Sequence, residues 1–363
     1  NPTSVVRDAL NDLLGELSWS DLKKVQSVAI AINDKTRPVP HNILLPPLLD
    51  QLESLGISND LITFYIAVGT HPPMTPEEFS TILPAEILAC YQVVSHDSEY
   101  QQDLQFLGNT IRGTPVWTHR GFYQSDLKIV VGNIEPHQFV GFSGGVKTAA
   151  VGLAGLQTIN KNHSLMSHPD AQLGNYNTNP ARQDIEEIGQ IIGVNLALNA
   201  VLNDHKEIVH ALAGDPLAVM AAGVPLSRQV CQVPVQRTYG LVIASPGGHP
   251  KDINVYQSQK ALAYAVRVTR PGATVILTAA CPEGSGSSHY QDWIFGKKSY
   301  DEVLEAYQAE GFRIGPHKAF QFARDTAQTR LMFYSEMETE LANRINKIKN
   351  IHLKELIENI FNK

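Results

Sequence analysis

Cysteine is scarce in this chain of 363 residues. Cys90, Cys231 and Cys281 stand far apart without CxxC or CxxH spacing, so neither a disulfide framework nor a cysteine-held zinc site is indicated, and a reducing compartment fits best. A basic surplus is also lacking. The formal net charge is -7 and Lys and Arg do not cluster strongly before the C-terminus, which argues against a general nucleic-acid binder, because phosphate neutralisation needs a basic face. No apolar run approaches the roughly 20 residues that span a bilayer. Asn1 to Asn11 lacks the charged-then-apolar order of a signal peptide. A cytoplasmic protein with neither membrane nor nucleic-acid partners is therefore expected, and the start at Asn1 rather than Met reads as incomplete or processed. Internal repeats and low-complexity segments are missing as well.

What is present is an ordered, globular composition, 43% hydrophobic and 18% charged with Gly and Pro spread along the chain. The length exceeds one ordinary core, so two domains are expected, 1–236 and 237–363. The pattern repeats an apolar β-rich run, a polar or Gly/Pro turn and a helical stretch, as a parallel sheet with crossover helices is written. Val25 to Ile32 is the first run, Leu61 to Val68 the second and Leu127 to Val131 the third. After the second, Thr75-Pro76-Glu77-Glu78 has the form of a capping box. Asp184 to Gly223 reads as mainly helical with a strand-like interruption around Val194 to Leu202, and Val230 to Thr238 as a connection. Strands over Tyr239–Ala244 and Ala273–Ala279 flanking a helix from about Ile253 to Val268 follow, then a helical tail from Glu336 to Lys363.

The polar residues fall where an open parallel sheet binds ligands, just past strand carboxyl ends. Asp34 and Arg37 follow the first run, His71 the second, and His137 the third. Two imidazoles facing one pocket can serve as paired acid and base, although a loop histidine bonded to backbone is the plainer alternative. Gly141 to Thr148 resembles a phosphate-binding P-loop, but Val146 stands where GxxxxGK[ST] needs its second glycine. Such a turn can cradle an anion and set Lys147 in a helix-start field that lowers its amine pKa, or it can simply allow close helix–strand packing. His163 is either a metal ligand or a residue at a helix C-cap, since its spacing to His168 is not that of HExxH. Arg37, Gln257 and Lys260 offer the fork and point charge that a carboxylate requires, the last two on one helix face, with a surface ion pair as the common alternative for either cation.

Together these motifs resemble the lactate racemase family, nickel-pincer enzymes that interconvert the enantiomers of 2-hydroxy acids. Asp34-Lys35-Thr36-Arg37-Pro38 is similar to the family's D-x-T-R-P turn, Gly69-Thr70-His71 to its histidine turn, and Glu135 to Lys147 to its long signature. Asn162-His163-Ser164 and Gly247 to Lys260, including Asn254-Val255-Tyr256-Gln257, complete a set that runs in order from about Val25 to Gly286.

The resemblance implies an α/β fold of two domains with largely parallel sheets and crossover helices, and an active site in the interdomain cleft. It implies that Lys147 tethers a nickel-pincer nucleotide (pyridinium-3-thioamide-5-thiocarboxylic acid mononucleotide), with Gly144, Gly145 and Asp34 helping to seat it and His163 binding the nickel. His71 and His137 would be the acid/base pair, and Arg37, Gln257 and Lys260 would hold a small 2-hydroxy acid. The implied reaction is inversion by proton-coupled hydride transfer through a bound 2-keto acid, and the implied partners are the proteins that make the cofactor. Two departures are His249, where relatives often carry Tyr, and Val146, where some carry a basic residue before the lysine. A P-loop-like nucleotide or phosphate enzyme and a non-catalytic cofactor carrier remain the competing readings.

Overall fold

The computed structural model describes residues 1–22, 25–313, 315–327 and 329–346. The chain divides into two units, Asn1–Gln232 and Val233–Lys363. In the first, β1 (Val28–Asn33), β2 (Ile62–Ala67) and β3 (Gln92–Ser95) are followed by a hairpin of β4 (Leu104–Asn109) and β5 (Pro115–His119). Next come β6 (Leu127–Asn133), the two-residue pair β7 (Pro136–His137) and β8 (Gly141–Phe142), and then β9 (Leu196–Leu202) and β10 (Ile208–Gly214). The central sheet has the order β10-β9-β6-β1-β2-β3 and is parallel throughout except for β10 against β9. Ile30, Phe64, Ile129 and Leu198 are fully buried in it, as expected of parallel strands covered on both faces.

The strand order fixes where a site can form. From β1 the chain steps to β2 and β3 on one side, while β6 lies on the other side of β1 and leads on to β9. Crossovers on the two sides leave a crevice beyond the carboxyl ends of β1 and β6, the place where open α/β sheets take ligands. Asp34 follows β1 directly, and Ile134 to Lys147 follow β6.

The helical expectation for Asp184 to Gly223 is corrected. Helix Pro180–Ile192 and β9 are present, but Ile208–Gly214 is a strand and only Pro216–Cys231 returns to helix. The cause is the turn after β9: the Asn203 side chain accepts from the backbone N–H groups of His205 and Glu207, folding the chain back so that β10 pairs antiparallel with β9. The capping box at Thr75 forms, yet its helix spans only Pro76–Phe79.

The second unit holds a parallel sheet of β11 (Tyr239–Ala244), β12 (Thr269–Thr278) and β13 (Arg330–Tyr334), in that order. Helix Val255–Val268 crosses from β11 to β12, capped by Asn254, whose side chain accepts from the Gln257 N–H. Its buried face, Val255 and Leu262, packs in one core with Val275, Leu277, Phe322 and Phe333. Strand β13 was not anticipated. The expected tail helix is present over Thr339–Asn346, and its remainder lies outside the described residues.

Buried histidines make the first unit sensitive to acid. His41 and His96 are almost wholly buried and held at a pKa of about 4, chiefly by burial, although each meets a backbone carbonyl, of Ile82 and Ala154 respectively. The second nitrogen of each has no partner among the described residues, so a proton added there would be a buried charge without an acceptor. Above the unfolded pKa of about 6.5 neither state binds the proton; below it the unfolded chain does so first, and stability falls until the folded pKa is reached. Two such groups are expected to cost about 2–3 kcal/mol between about pH 7.5 and 5.5. Urea unfolding at both pH values measures this, and replacing both with Gln should flatten the dependence; an unchanged slope would exclude these histidines as its source.

Candidate active site

Asp34 sits at the end of β1 and is 4% exposed, and each of its two oxygens is used. Oδ1 accepts from the Thr36 N–H at 3.2 Å and from the Thr36 hydroxyl at 2.8 Å, closing a tight turn. Oδ2 accepts from His71 Nδ1 at 2.7 Å. Burial by itself would raise the Asp34 pKa, but the bonds from His71 and Thr36 and the charges of His71 and Arg37 outweigh it and hold the carboxyl below its usual value. His71, on the loop after β2, has 47% of its side chain exposed. With Nδ1 donating to a carboxylate, its Nε2 is left as a proton acceptor, the arrangement of a carboxylate-oriented base. Arg37 is exposed in the same turn, and its guanidinium has no hydrogen-bond or ion-pair partner among the described residues.

The glycine turn after β8 carries Lys147. Gly144 and Gly145 take φ of +93° and +56°, conformations that disfavour any side chain. A Cβ at Gly144 would lie 2.7 Å from Ile134 Cγ1, and one at Gly145 would lie 2.6 Å from Met220 Cγ. The Gly145 N–H donates to Asn199 Oδ1 at 2.6 Å, so this amide is already spent within the fold. Close packing therefore explains both glycines. Val146 is buried against Gly189, where an added Cβ would meet it at 2.4 Å, so a basic side chain has no room on that side. The helix that follows is a single turn, Lys147–Ala150. The sequence-based attribution of a lowered Lys147 pKa to a helix-start field gives way to three other causes: burial first, then the charges of Arg37 and Arg182, which together hold the amine well below its ordinary value. The amine has no hydrogen-bond or ion-pair partner among the described residues, and the buried Ser143 hydroxyl beside the turn is likewise unpartnered there.

Arg182, 1% exposed, locks this turn. Its guanidinium donates to the carbonyls of Phe142 and Gly144, each at 3.1 Å, and pairs with Glu186 at 2.6 Å. Sequence reading missed it, although an Arg four residues before a Glu in a capped helix was the available signal.

His137 and His163 both pack against one ring. The buried Phe139 lies edge-on to His137 with centroids 5.0 Å apart and to His163 with centroids 4.9 Å apart. His137 Nδ1 also faces the Val140 N–H at the long distance of 3.5 Å. His163 belongs to the last turn of helix Leu156–Ser164, not to a cap beyond it. Among the described residues no three His, Cys, Asp or Glu side chains converge on one point, so a metal held by His163 would need further ligands from outside the protein.

The first unit thus brings together Asp34 with His71, the charges of Asp34 and Arg37 with Lys147, and both His137 and His163 with Phe139. In the second unit Lys260 Nζ donates to Gln257 Oε1 at 2.8 Å, one helical turn apart on helix Val255–Val268. Gln257 is half-buried and Lys260 exposed.

Residues 1–174 match the lactate racemase N-terminal domain and residues 235–323 match the lactate racemase C-terminal domain. The chain is 29% identical over 310 residues to a lactate racemase of Thermoanaerobacterium thermosaccharolyticum, covering 85% of this chain and 72% of that protein. It is 30% identical over 288 residues to a lactate racemase of Lactiplantibacillus plantarum, covering 78% and 68%. The solved lactate racemase apoprotein of T. thermosaccharolyticum superposes with a TM-score of 0.92 at 26% identity, covering 100% of this chain and 89% of the other. A Thermotoga maritima protein, at 16% identity and a TM-score of 0.71, shares the fold over 99% of this chain and 93% of its own. With both domain types matched in order and a relative at this identity across most of its length, the chain belongs to the lactate racemase family.

Proposed function

We propose that this isomerase racemises a small 2-hydroxy acid of the lactate class in the cytoplasm, using a nickel-pincer nucleotide tethered at Lys147 and ligated by His163. The observation that carries this reading is the place of the Lys147 amine, in the glycine turn beside the charges of Arg37 and Asp34 and unpartnered among the described residues, where burial and the Arg37 and Arg182 charges disfavour its charged form. A neutral amine is the form that can be acylated, and a single imidazole suits a metal that brings its own remaining donors, so the residues fit such a group. Gly144 and Gly145 contribute by shaping the turn that presents Lys147, and Asp34 contributes through His71. When bound, the group supplies an acceptor for the hydride at carbon 2 of the substrate. Proteins that synthesise it are the partners needed for maturation.

His71 Nε2 takes the hydroxyl proton as the alcohol becomes a ketone, and Asp34 stabilises the imidazolium that results. Inversion needs a proton carrier for each enantiomer, and His137 is the second. Arg37 holds the carboxylate so that only the hydroxyl-bearing carbon changes, and Gln257 and Lys260 keep the substrate-binding role that the family resemblance implies.

Two-base racemisation by proton abstraction is the rival chemistry. A hydrogen beside a carboxylate already carrying charge is poorly acidic, and an imidazole of unperturbed pKa about 6.5 is a weak match for it. Protein co-produced with the cofactor-making system should therefore invert at least one member of a panel of 2-hydroxy acids by chiral analysis. Substrate deuterated at carbon 2, inverted in ordinary water, should keep most of its deuterium. Washout at the rate of inversion would refute hydride transfer, and no inversion of any panel member would refute the racemase reading and leave a cofactor carrier.

A further inference from the structure

Asn162 precedes His163 on helix Leu156–Ser164 and is 1% exposed. Its Nδ2 donates to the Ala181 carbonyl at 3.0 Å and to Asp184 Oδ2 at 2.9 Å. A carbonyl and a carboxylate accept and cannot donate, so the orientation of the amide is decided by its partners. Its Oδ1 consequently faces His163 Nδ1, at 3.3 Å. An amide oxygen only accepts, so this contact is a hydrogen bond when the imidazole carries its proton on Nδ1. A neutral imidazole protonated there has its lone pair on Nε2.

The carboxylate behind this arrangement is itself seated. Asp184 is 0% exposed, and in addition to Asn162 it accepts from the Thr110 hydroxyl at 2.7 Å and from the Thr114 hydroxyl at 2.9 Å. Both threonines belong to the turn joining β4 to β5. A hairpin outside the central sheet therefore fixes Asp184, Asp184 fixes the Asn162 amide, and the amide faces His163, whose ring is packed on Phe139.

We infer that Asn162, locked by the buried carboxylate of Asp184, is a positioning residue that holds His163 in the Nδ1–H tautomer and so presents Nε2 as its donor atom. The role in metal binding rests on the proposed assignment of His163; the role in setting the tautomer does not. Outer partners of this kind orient a ligating imidazole and raise its basicity.

The test uses the full chain without cofactor, labelled with 15N-histidine, and reads the His163 ring nitrogens near neutral pH by long-range proton–nitrogen correlation. The wild type should show Nδ1 in the protonated range and Nε2 in the lone-pair range. In Asn162→Ala the two resonances should move towards each other as the tautomers mix. Thr114→Val removes one donor to Asp184 and leaves Asn162 and His163 unchanged, so a smaller shift in the same direction is expected; it decides the matter if Asn162→Ala does not fold. Folded variants with unshifted ring nitrogens would overturn the inference. In parallel, cofactor-loaded Asn162→Ala should hold nickel about 10-fold or more weakly against a chelator. Shifted nitrogens with nickel held as in the wild type would support the tautomer role and count against His163 as the metal ligand, which separates failure of this inference from failure of the proposed function.

Discussion

Replacing His71 with alanine is expected to lower kcat by about 10²- to 10⁴-fold while the nickel content of loaded protein stays at the wild-type level, the range that loss of a positioned acid/base group spans. His137→Ala should behave alike, because each enantiomer needs its own proton carrier. Asp34→Asn is the sharper variant. An asparagine keeps the shape and can still accept from Thr36, but its amide can turn an N–H towards His71 Nδ1, and the imidazole then carries its proton on Nε2, where the substrate hydroxyl needs a base. Its kcat should therefore fall nearly as far as that of His71→Ala, and combining the two should add little, since they act as one unit. Steady-state chiral assays of the three variants, with metal analysis of the same samples, provide the measurement. Racemisation at normal rates in both His71→Ala and His137→Ala would remove the paired-histidine proposal, and loss of nickel in either would recast that histidine as a ligand.

The central strands were legible because each is an apolar run ended by a polar turn, and Val28–Asn33, Ile62–Ala67 and Leu127–Asn133 fall where such runs stop. The short strand Ile208–Gly214 was not, since its sequence, Ile-Val-His-Ala-Leu-Ala-Gly, suits a helix as well; only pairing with β9 through the Asn203 turn decides between them. The placement of Asp34 and His71 beyond strand ends was readable from local pattern. Their bond was not, because it joins turns that follow different strands, and neither turn names its partner. Arg182 and the roles of Phe139 and Asn162 escaped for a related reason. Each acts by touching a residue that sequence had already singled out, and such contacts depend on packing across elements rather than on spacing within one.

Loss of Lys147 should have the largest effect of all on loading. Mass spectrometry of intact wild-type protein co-produced with the cofactor-making system should show a covalent adduct, and Lys147→Ala and Lys147→Arg should show none, with racemisation down on the order of 10²-fold or more as a tethered group becomes a diffusible one. The arginine variant matters because it keeps a positive charge but lacks an acylatable amine. The reason Lys147 is chosen over other lysines lies in its surroundings. Burial opposes charging of the amine, and Arg37 and Arg182 oppose it further, so the neutral nucleophilic form persists to lower pH than at an exposed lysine. The same environment makes a prediction for protein without cofactor. Under limiting reductive methylation across a pH series, the Lys147 modification rate should reach its half-maximum at a lower pH than that of the exposed lysines, and Arg37→Met, which removes a charge from an exposed turn, should raise that pH. The sign follows from the charge: deleting a neighbouring cation makes protonation easier, so the amine pKa rises towards its ordinary value. A fall, or no change, in that midpoint would show that the Arg37 charge does not set the state of the amine, and an adduct that survived in Lys147→Ala would move the tether to another residue.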